Sequence, residues 1–310
     1  MKKFFLTLAI ACMTFVVNAQ GKFEVKDFGK FKLHSYVTAD PLGDMSYIIE
    51  GSESLVVLEP AAFHDNIKEM QQYIAKLEKP VEKVIANYHA AGFSAYEPSQ
   101  YVMVEGMPEF VKGEIYGGMV KGFAANFGKA IDTDGEIPTA TITKNGKERL
   151  AGIVFEFTPG AASDFPAASI LIGGKVYYLH FTPVSEMHMG PLQITGRTAV
   201  KAYLSELEKA KKSGAELFVG GHGVATADTA AVDFQIGYLK KMQKLLQDEK
   251  NENDFIAAMK SAYPQAAAPD NLTAVAANLY KESTSNNNHK AAEFRRLFSQ
   301  VKYESFVDKW

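Results

Sequence analysis

Residues 54–89 read SLVVLEPAAFHDNIKEMQQYIAKLEKPVEKVIANYH, and this stretch decides the architecture. "SLVVLEP" is a short apolar run closed by Glu59 and Pro60, the composition of a buried strand. In "DNIKEMQQYIAKLEKP" the apolar residues Ile67, Met70, Tyr73, Ile74 and Leu77 recur at helical spacing. Asp65 is the expected cap at its start, and Pro80 ends it. "VEKVIANYH" is a strand again, and it runs into a loop carrying His89. A strand, a helix and a strand in this order imply a crossover with the two strands parallel.

Working outward, "MSYIIEG" lies before the polar turn Ser52–Ser54 and pairs with "SLVVLEP" as a hairpin. A second β-rich set follows: "GIVFEFTP", "ASILIGG" and "KVYYLHFT", with Gly173–Gly174 marking a turn. "TAVKAYLSELEKAKKSG" reads as an amphipathic helix with Thr198 at its start and Gly214 after its end. "AELFVGGHG" is one more strand entering a glycine-rich loop. Beyond about residue 233 the pattern is mainly helical, then "STSNNNHK" reads as a linker before a last segment ending at Trp310. No repeat recurs at a period of 20–50 residues. Two β-rich sets predict a core of two sheets, within a domain over 20–240 and a helical extension over 241–310.

The remaining bounds come from composition. With 310 residues, 47% hydrophobic and 22% charged, the chain is long enough for a large core. "MKKFFLTLAIACMTFVVNAQ" has two lysines, an apolar run from Phe4 to Val17, then small residues. This is the pattern of a secretory signal over residues 1–19, cut after Ala19, and it places the mature chain in the periplasm or outside the cell. Lipid attachment at Cys12, the sole cysteine, is the alternative; "LAIAC" fits a lipoprotein box poorly, because Ala9 stands where a leucine is usual. Cleavage leaves no cysteine, so the mature protein folds without disulfides. It also removes Lys2 and Lys3, leaving 31 basic against 36 acidic residues, a formal charge of −5. No basic patch points to nucleic acid, and no long apolar run follows the leader.

Of the seven histidines, His89, His180 and His222 each stand at the end of an expected strand. Strand-end loops of layered α/β folds gather at one edge and build the site there. Three neutral imidazoles meeting at such an edge can hold a transition metal such as zinc and leave one position open.

Taken in order, "VVLEP", a helix, "VIANYHAAG", "FTPGAAS", "VYYLHF" and "LFVGGHG" resemble the metallo-β-lactamase superfamily, over roughly residues 30 to 240. The half from Thr158 to Arg197 is similar to its alkylsulfatase-type branch. The resemblance implies an α+β fold, an αββα sandwich of two mixed β-sheets with outer helices. It also implies hydrolysis at a metal centre. The family's H-x-H-x-D-H motif falls on Asn87-Tyr88-His89-Ala90-Ala91-Gly92 and keeps only its second histidine. The P-G-H loop is Pro159-Gly160-Ala161, while Gly221-His222-Gly223 keeps its histidine. His180 occupies about the place of the bridging carboxylate, and His188 can stand in for a histidine of the following loop. Glu59 sits where the family usually has an aspartate.

These departures set the expectation. Ala91 and Ala161 cannot bind metal, and the amide of Asn87 suits hard cations better than zinc. The family's full two-metal site is therefore not expected. A remodelled site with one zinc or other divalent transition metal is, built from His89, His180 and His222. Glu59, Asp44 or His188 would supply a fourth ligand or a proton acceptor. The expected substrate is a small ester, lactone or sulfate. The alternative is a descendant of the fold that has lost its metals and binds a ligand or partner without catalysis. "IYGGMVKGFAANFGK" lacks the G-x-x-x-x-G-K-[ST] phosphate loop and reads as a helix-and-turn connection. No G-x-S-x-G elbow exists around Ser163 and Asp164. The helical C-terminal part is a candidate lid or homodimer surface.

Overall fold

The computed structural model describes residues 21–249 and 251–281. The leader over 1–19, the linker and the C-terminal segment read from the sequence lie outside the described residues.

Seven strands form the first sheet in chain order: β1 (Lys22–Asp27), β2 (Lys32–Val37), β3 (Met45–Glu50), β4 (Leu55–Leu58), β5 (Val81–Ala86), β6 (Tyr101–Val104) and β7 (Thr141–Ile142). The first four pair antiparallel; from β4 onward the pairing is parallel. The second sheet holds β8 (Gly146–Leu150), β9 (Ile153–Pro159), β10 (Ala168–Ile172), β11 (Val176–Phe181) and β12 (Leu217–His222), in the order β12-β11-β10-β9-β8. Only β11 and β12 are parallel there. Each parallel joint needs a crossover connection, and at two of them it is a single long helix. The first sheet takes α1 (His64–Leu77) between β4 and β5, and the second takes α4 (Arg197–Lys212) between β11 and β12.

The alternation of β11 shows how the layers stack. Val176 and Tyr178 enter the core shared with the first sheet. Tyr177, Leu179 and Phe181 enter a second core, under α4, α5 (Thr229–Asp248), α6 (Glu252–Ala262) and α7 (Asn271–Tyr280). Successive side chains point to opposite faces, so a strand of continuous apolar residues is one covered on both sides. On the far side α1 packs Met70 against the first sheet. The result is a sandwich of two mixed sheets with helices on both outer sides. No helix among the described residues is long and apolar enough to cross a membrane.

Two local outcomes differ from the sequence reading. Asp65 is not a cap: the cap position of α1 is Phe63, with no side-chain bond, and Asp65 lies in the first turn. Its charge still suits the helix dipole there. Strands β1, β2, β6, β7 and β8 carry too little alternation or length to stand out; β7 is two residues long and β1 is nearly all exposed. The glycine-rich stretch 115–129 is a helix and a turn as read, α3 (Glu114–Phe127) and the turn after it, with a short helix α2 (Met107–Lys112) before it.

Candidate metal centre

The carboxyl ends of the parallel strands meet at one edge of the sandwich. There Asp44, His89 and His222 each offer a ligand atom within 4.8 Å of the others. Three segments deliver them. Asp44 ends the loop between β2 and β3, where Thr38 Oγ1 donates to the Asp44 carbonyl at 2.8 Å and Asp40 Oδ1 accepts the Leu42 N–H at 2.8 Å. Its backbone forms an isolated antiparallel bridge with His222, the last residue of β12. That bridge ties the end of one sheet to the other and sets the two side chains adjacent.

His89 is held by a frame built around Glu59. The Glu59 carboxylate accepts the backbone N–H groups of Asn87 (3.1 Å), Tyr88 (2.8 Å) and His89 (3.1 Å), and the Tyr178 hydroxyl donates to it as well. Glu59 is fully buried and sits at φ 59°, a left-handed conformation that costs a non-glycine residue energy. Its four donors hold it there. The carboxylate expected to bind metal or take a proton therefore has its oxygens engaged in shaping the His89 loop. Gly221 completes the fit: a Cβ at that position would lie 2.8 Å from His89 Nε2.

The donor atoms face one another. His89 Nε2 lies 3.3 Å from His222 Nε2, and Asp44 Oδ1 lies 3.3 Å from His222 Nδ1 and 3.8 Å from His89 Nε2. His222 turns Nε2 to His89 and Nδ1 to Asp44, and one ion takes only one of these nitrogens. Ligands bonded at about 2.0–2.1 Å to one tetrahedral ion are about 3.3–3.4 Å apart, so three donors within 4.8 Å of one another could share an ion after a small closing movement. His89 faces the other donors with Nε2, and its other ring nitrogen, Nδ1, is buried without a hydrogen-bond partner, so the ring lacks the acceptor that usually orients a metal-bound histidine. Asp44 is held well above the usual carboxylate range, first by burial and then by the nearby Asp40 and Glu59 carboxylates. A cation would relieve that repulsion. His222 is pushed well below its ordinary value by burial and by His89 and His180, so its ring is neutral and its lone pair available. The His222 side chain is 26% exposed, against 9% for His89 and 6% for Asp44, so the cluster opens to solvent along His222. That exposure also makes the downward push smaller than complete burial would give.

The other expected ligands are placed differently. His180 is close, its ring centre 5.4 Å from that of His222, yet it is not one of the three clustered donors. Its ring stacks on Tyr88 at 4.1 Å and its Nδ1 bonds Asp164, which also accepts from the Tyr203 hydroxyl at 2.9 Å. His188 lies away from the centre. Its Nδ1 is 3.0 Å from the Tyr238 hydroxyl, and its carbonyl accepts from Asn271, because the segment after β11 folds beneath α5 and α7. Asn87 is committed to the Ala168 backbone, donating at 2.8 Å and accepting at 2.9 Å, which stitches the two sheets together. Ala91 packs with Ala62, Phe63 and Ile131, and Ala161 lies in the second core. At Gly92 the backbone is left-handed (φ 73°), and a Cβ would fall 2.1 Å from the Ala61 carbonyl oxygen, so no histidine fits there.

Asp164 and Tyr116 carry no motif that would have marked them. Tyr116, from α3, accepts the Ala90 N–H at 2.8 Å and donates to the Tyr88 carbonyl at 2.7 Å, one residue on either side of His89.

No family model matches this sequence, and no curated protein matches it. Solved structures do match. The DIM-1 metallo-β-lactamase aligns with a TM-score of 0.50 and 16% identity, over 71% of this chain and 97% of that one. The stereoselective inverting sec-alkylsulfatase Pisa1 from Pseudomonas sp. aligns with a TM-score of 0.56 and 14% identity, over 83% of this chain and 50% of that one. The chain thus spans about half the length of the sulfatase. At these identities the matches show the fold, and the sandwich is the metallo-β-lactamase fold.

Proposed function

We propose that this chain is an exported metal-dependent hydrolase, with one divalent ion held by Asp44, His89 and His222. The observation that carries the reading is the convergence of these three donors, from two sheets and a loop, within 4.8 Å of one another. Two imidazoles and a carboxylate suit zinc or another divalent transition metal, and three protein ligands leave room for a substrate oxygen. A bound ion would supply Lewis-acid polarisation of that oxygen. The protein's own contribution is to hold the donors: Glu59 fixes the His89 loop, the Asp44 bridge fixes His222, and the partly exposed His222 ring lies on the access side. The named activities of the structural neighbours, a β-lactamase and an alkylsulfatase, favour a small ester, lactone or sulfate as substrate. Export to the periplasm or beyond rests on the leader pattern of residues 1–19.

Metal content decides between this reading and its rival. Purified mature protein should carry about one zinc or iron per chain, and His89→Ala and His222→Ala should each release it and abolish hydrolysis. Ala91 and Ala161, packed in apolar surroundings where the resemblance expects ligands, favour the rival, a metal-free binding protein. A mature protein that takes up no divalent ion even when supplied with excess would establish that rival.

A further inference from the structure

Helix α3 lies beside the site with few fully buried side chains, and Val120, Phe123 and Phe127 pack half-buried against the body of the protein. Of its 14 residues only Tyr116 and Met119 are buried, and its interior carries Gly117, Gly118 and Gly122. Interior glycines lower helix stability because they lose the most backbone freedom on folding. Yet its one buried hydroxyl makes two hydrogen bonds to the loop that carries His89. Tyr116 accepts from the Ala90 N–H and donates to the Tyr88 carbonyl. The peptide groups on both sides of the metal-facing histidine are thus held from outside the sandwich.

We infer that Tyr116 is the positioning residue for His89 and that opening of α3 is the step by which the metal centre exchanges its ion. This rests on the metal-site reading above. Glu59 grips the same loop from inside the sandwich, through the N–H groups of residues 87 to 89. The Glu59 grip belongs to the core and persists while the fold persists. The Tyr116 grip depends on a helix with two buried anchors, three half-buried ones and three interior glycines, so it opens at a lower free energy than the fold as a whole. When α3 lifts, Ala90 and Tyr88 lose their partner and His89 gains freedom to turn from the ion.

The structure offers perturbations of opposite sign. Tyr116→Phe keeps the ring and deletes both hydrogen bonds. Gly122→Ala touches nothing, since no atom lies within 4 Å of a Cβ built there, and it should favour the helical state by up to roughly fivefold. Tyr238→Phe is the control: it removes another buried tyrosine hydroxyl, bonded to His188.

The experiment loads the full mature chain with zinc and follows release to a colorimetric chelator. Y116F should release zinc about ten- to a hundredfold faster, the range seen when the support of a metal ligand is lost. G122A should release it up to about fivefold more slowly, and Y238F should match the wild type. Equal release from all four proteins, or faster release from G122A, overturns the exchange role. A second readout stands without metal: hydrogen exchange of segment 87–92 in the apo protein. It should speed up in Y116F, slow in G122A and stay unchanged in Y238F. Unchanged exchange in Y116F overturns the positioning role. If the wild type binds no zinc while Y116F still loosens segment 87–92, the metal reading and the exchange role fail together, and the positioning of His89 stands.

Discussion

Two buried polar groups lie one imidazole apart and are closed in different ways. Around Asp44, His89 and His222 the donor atoms face each other and like charges crowd Asp44. Around Asp164 the charge is answered from within the protein: its Oδ2 takes the His180 ring nitrogen and the Tyr203 hydroxyl together. Next to that pair Glu206 bonds Ser169. A buried polar cluster is stable only when its groups are satisfied. The Asp164 carboxylate is answered by protein groups, although the second oxygen of Glu206 beside it is buried without a partner; around Asp44 it is repulsion between carboxylates that a cation would relieve. Proximity to the candidate centre alone does not make a clustered donor, as His180 shows.

The largest expected effect tests the support of the Asp44 side. Glu59→Ala leaves three buried backbone N–H groups and the Tyr178 hydroxyl without their acceptor. Each unsatisfied donor costs about 1–3 kcal/mol, so urea unfolding should show a loss of about 5 kcal/mol, with some relief from water entering the space. A loss below about 1 kcal/mol would mean that the loop has another scaffold.

Next comes the ion itself. Zinc at about a thousand times its dissociation constant should stabilise the wild type by about 4 kcal/mol. Asp44→Ala should lose nearly all of that shift in thermal unfolding while its zinc-free stability changes little or rises, since a crowded carboxylate has gone. Asp164→Asn should keep the zinc shift. If both variants lose it equally, the two clusters are one metal site and the contrast fails.

The Asp164 side also predicts a pH dependence. Burial raises the Glu206 pKa from 4.5 to about 7, with Asp164 adding to the rise. The folded state therefore holds this proton more tightly than the unfolded chain. Its stabilising effect is complete below about pH 4.5, is lost as the pH climbs to about 7, and changes no further above that. The swing is about 3 kcal/mol at most. Glu206→Gln should flatten stability across that window, and a slope equal to the wild type's would show that another group titrates there.

Much of this fold was legible because it rests on local period. The strand, helix and strand of residues 54–89 announce a parallel crossover, and Gly173–Gly174 announce a turn with both residues at positive φ (57° and 68°). His89 and His222 were legible as strand-end residues. Asp44 stood out only as one acidic option, since its partnership with His222 is a bridge between sheets 178 positions apart in sequence. His188 misled because the segment after β11 turns under helices that no local pattern relates to it. Asp164 and Tyr116 were silent for the same reason: their roles exist only after a loop and a helix have packed against the edge of the sandwich.

The smallest effect gives the sharpest test of why His180 stays apart. Its Nδ1 is committed to Asp164, and its ring lies flat on Tyr88 with planes 3° apart. Asp164→Asn keeps the size of the side chain but removes its charge, weakening the bonds to His180 and Tyr203. Hydrogen bonds to a charged group are worth about 1.5–3 kcal/mol, and the amide retains part of them, so a loss of about 2 kcal/mol is expected. His180 is then free of its strongest partner, but the Tyr88 stack still orients the ring. Zinc affinity should stay within about threefold of the wild type, because His180 is not one of the clustered donors. A tenfold or larger loss of affinity would mean that Asp164 tunes a metal-bound His180, as carboxylates do for ligating imidazoles. The centre would then be a four-ligand site that closes around its ion when loaded.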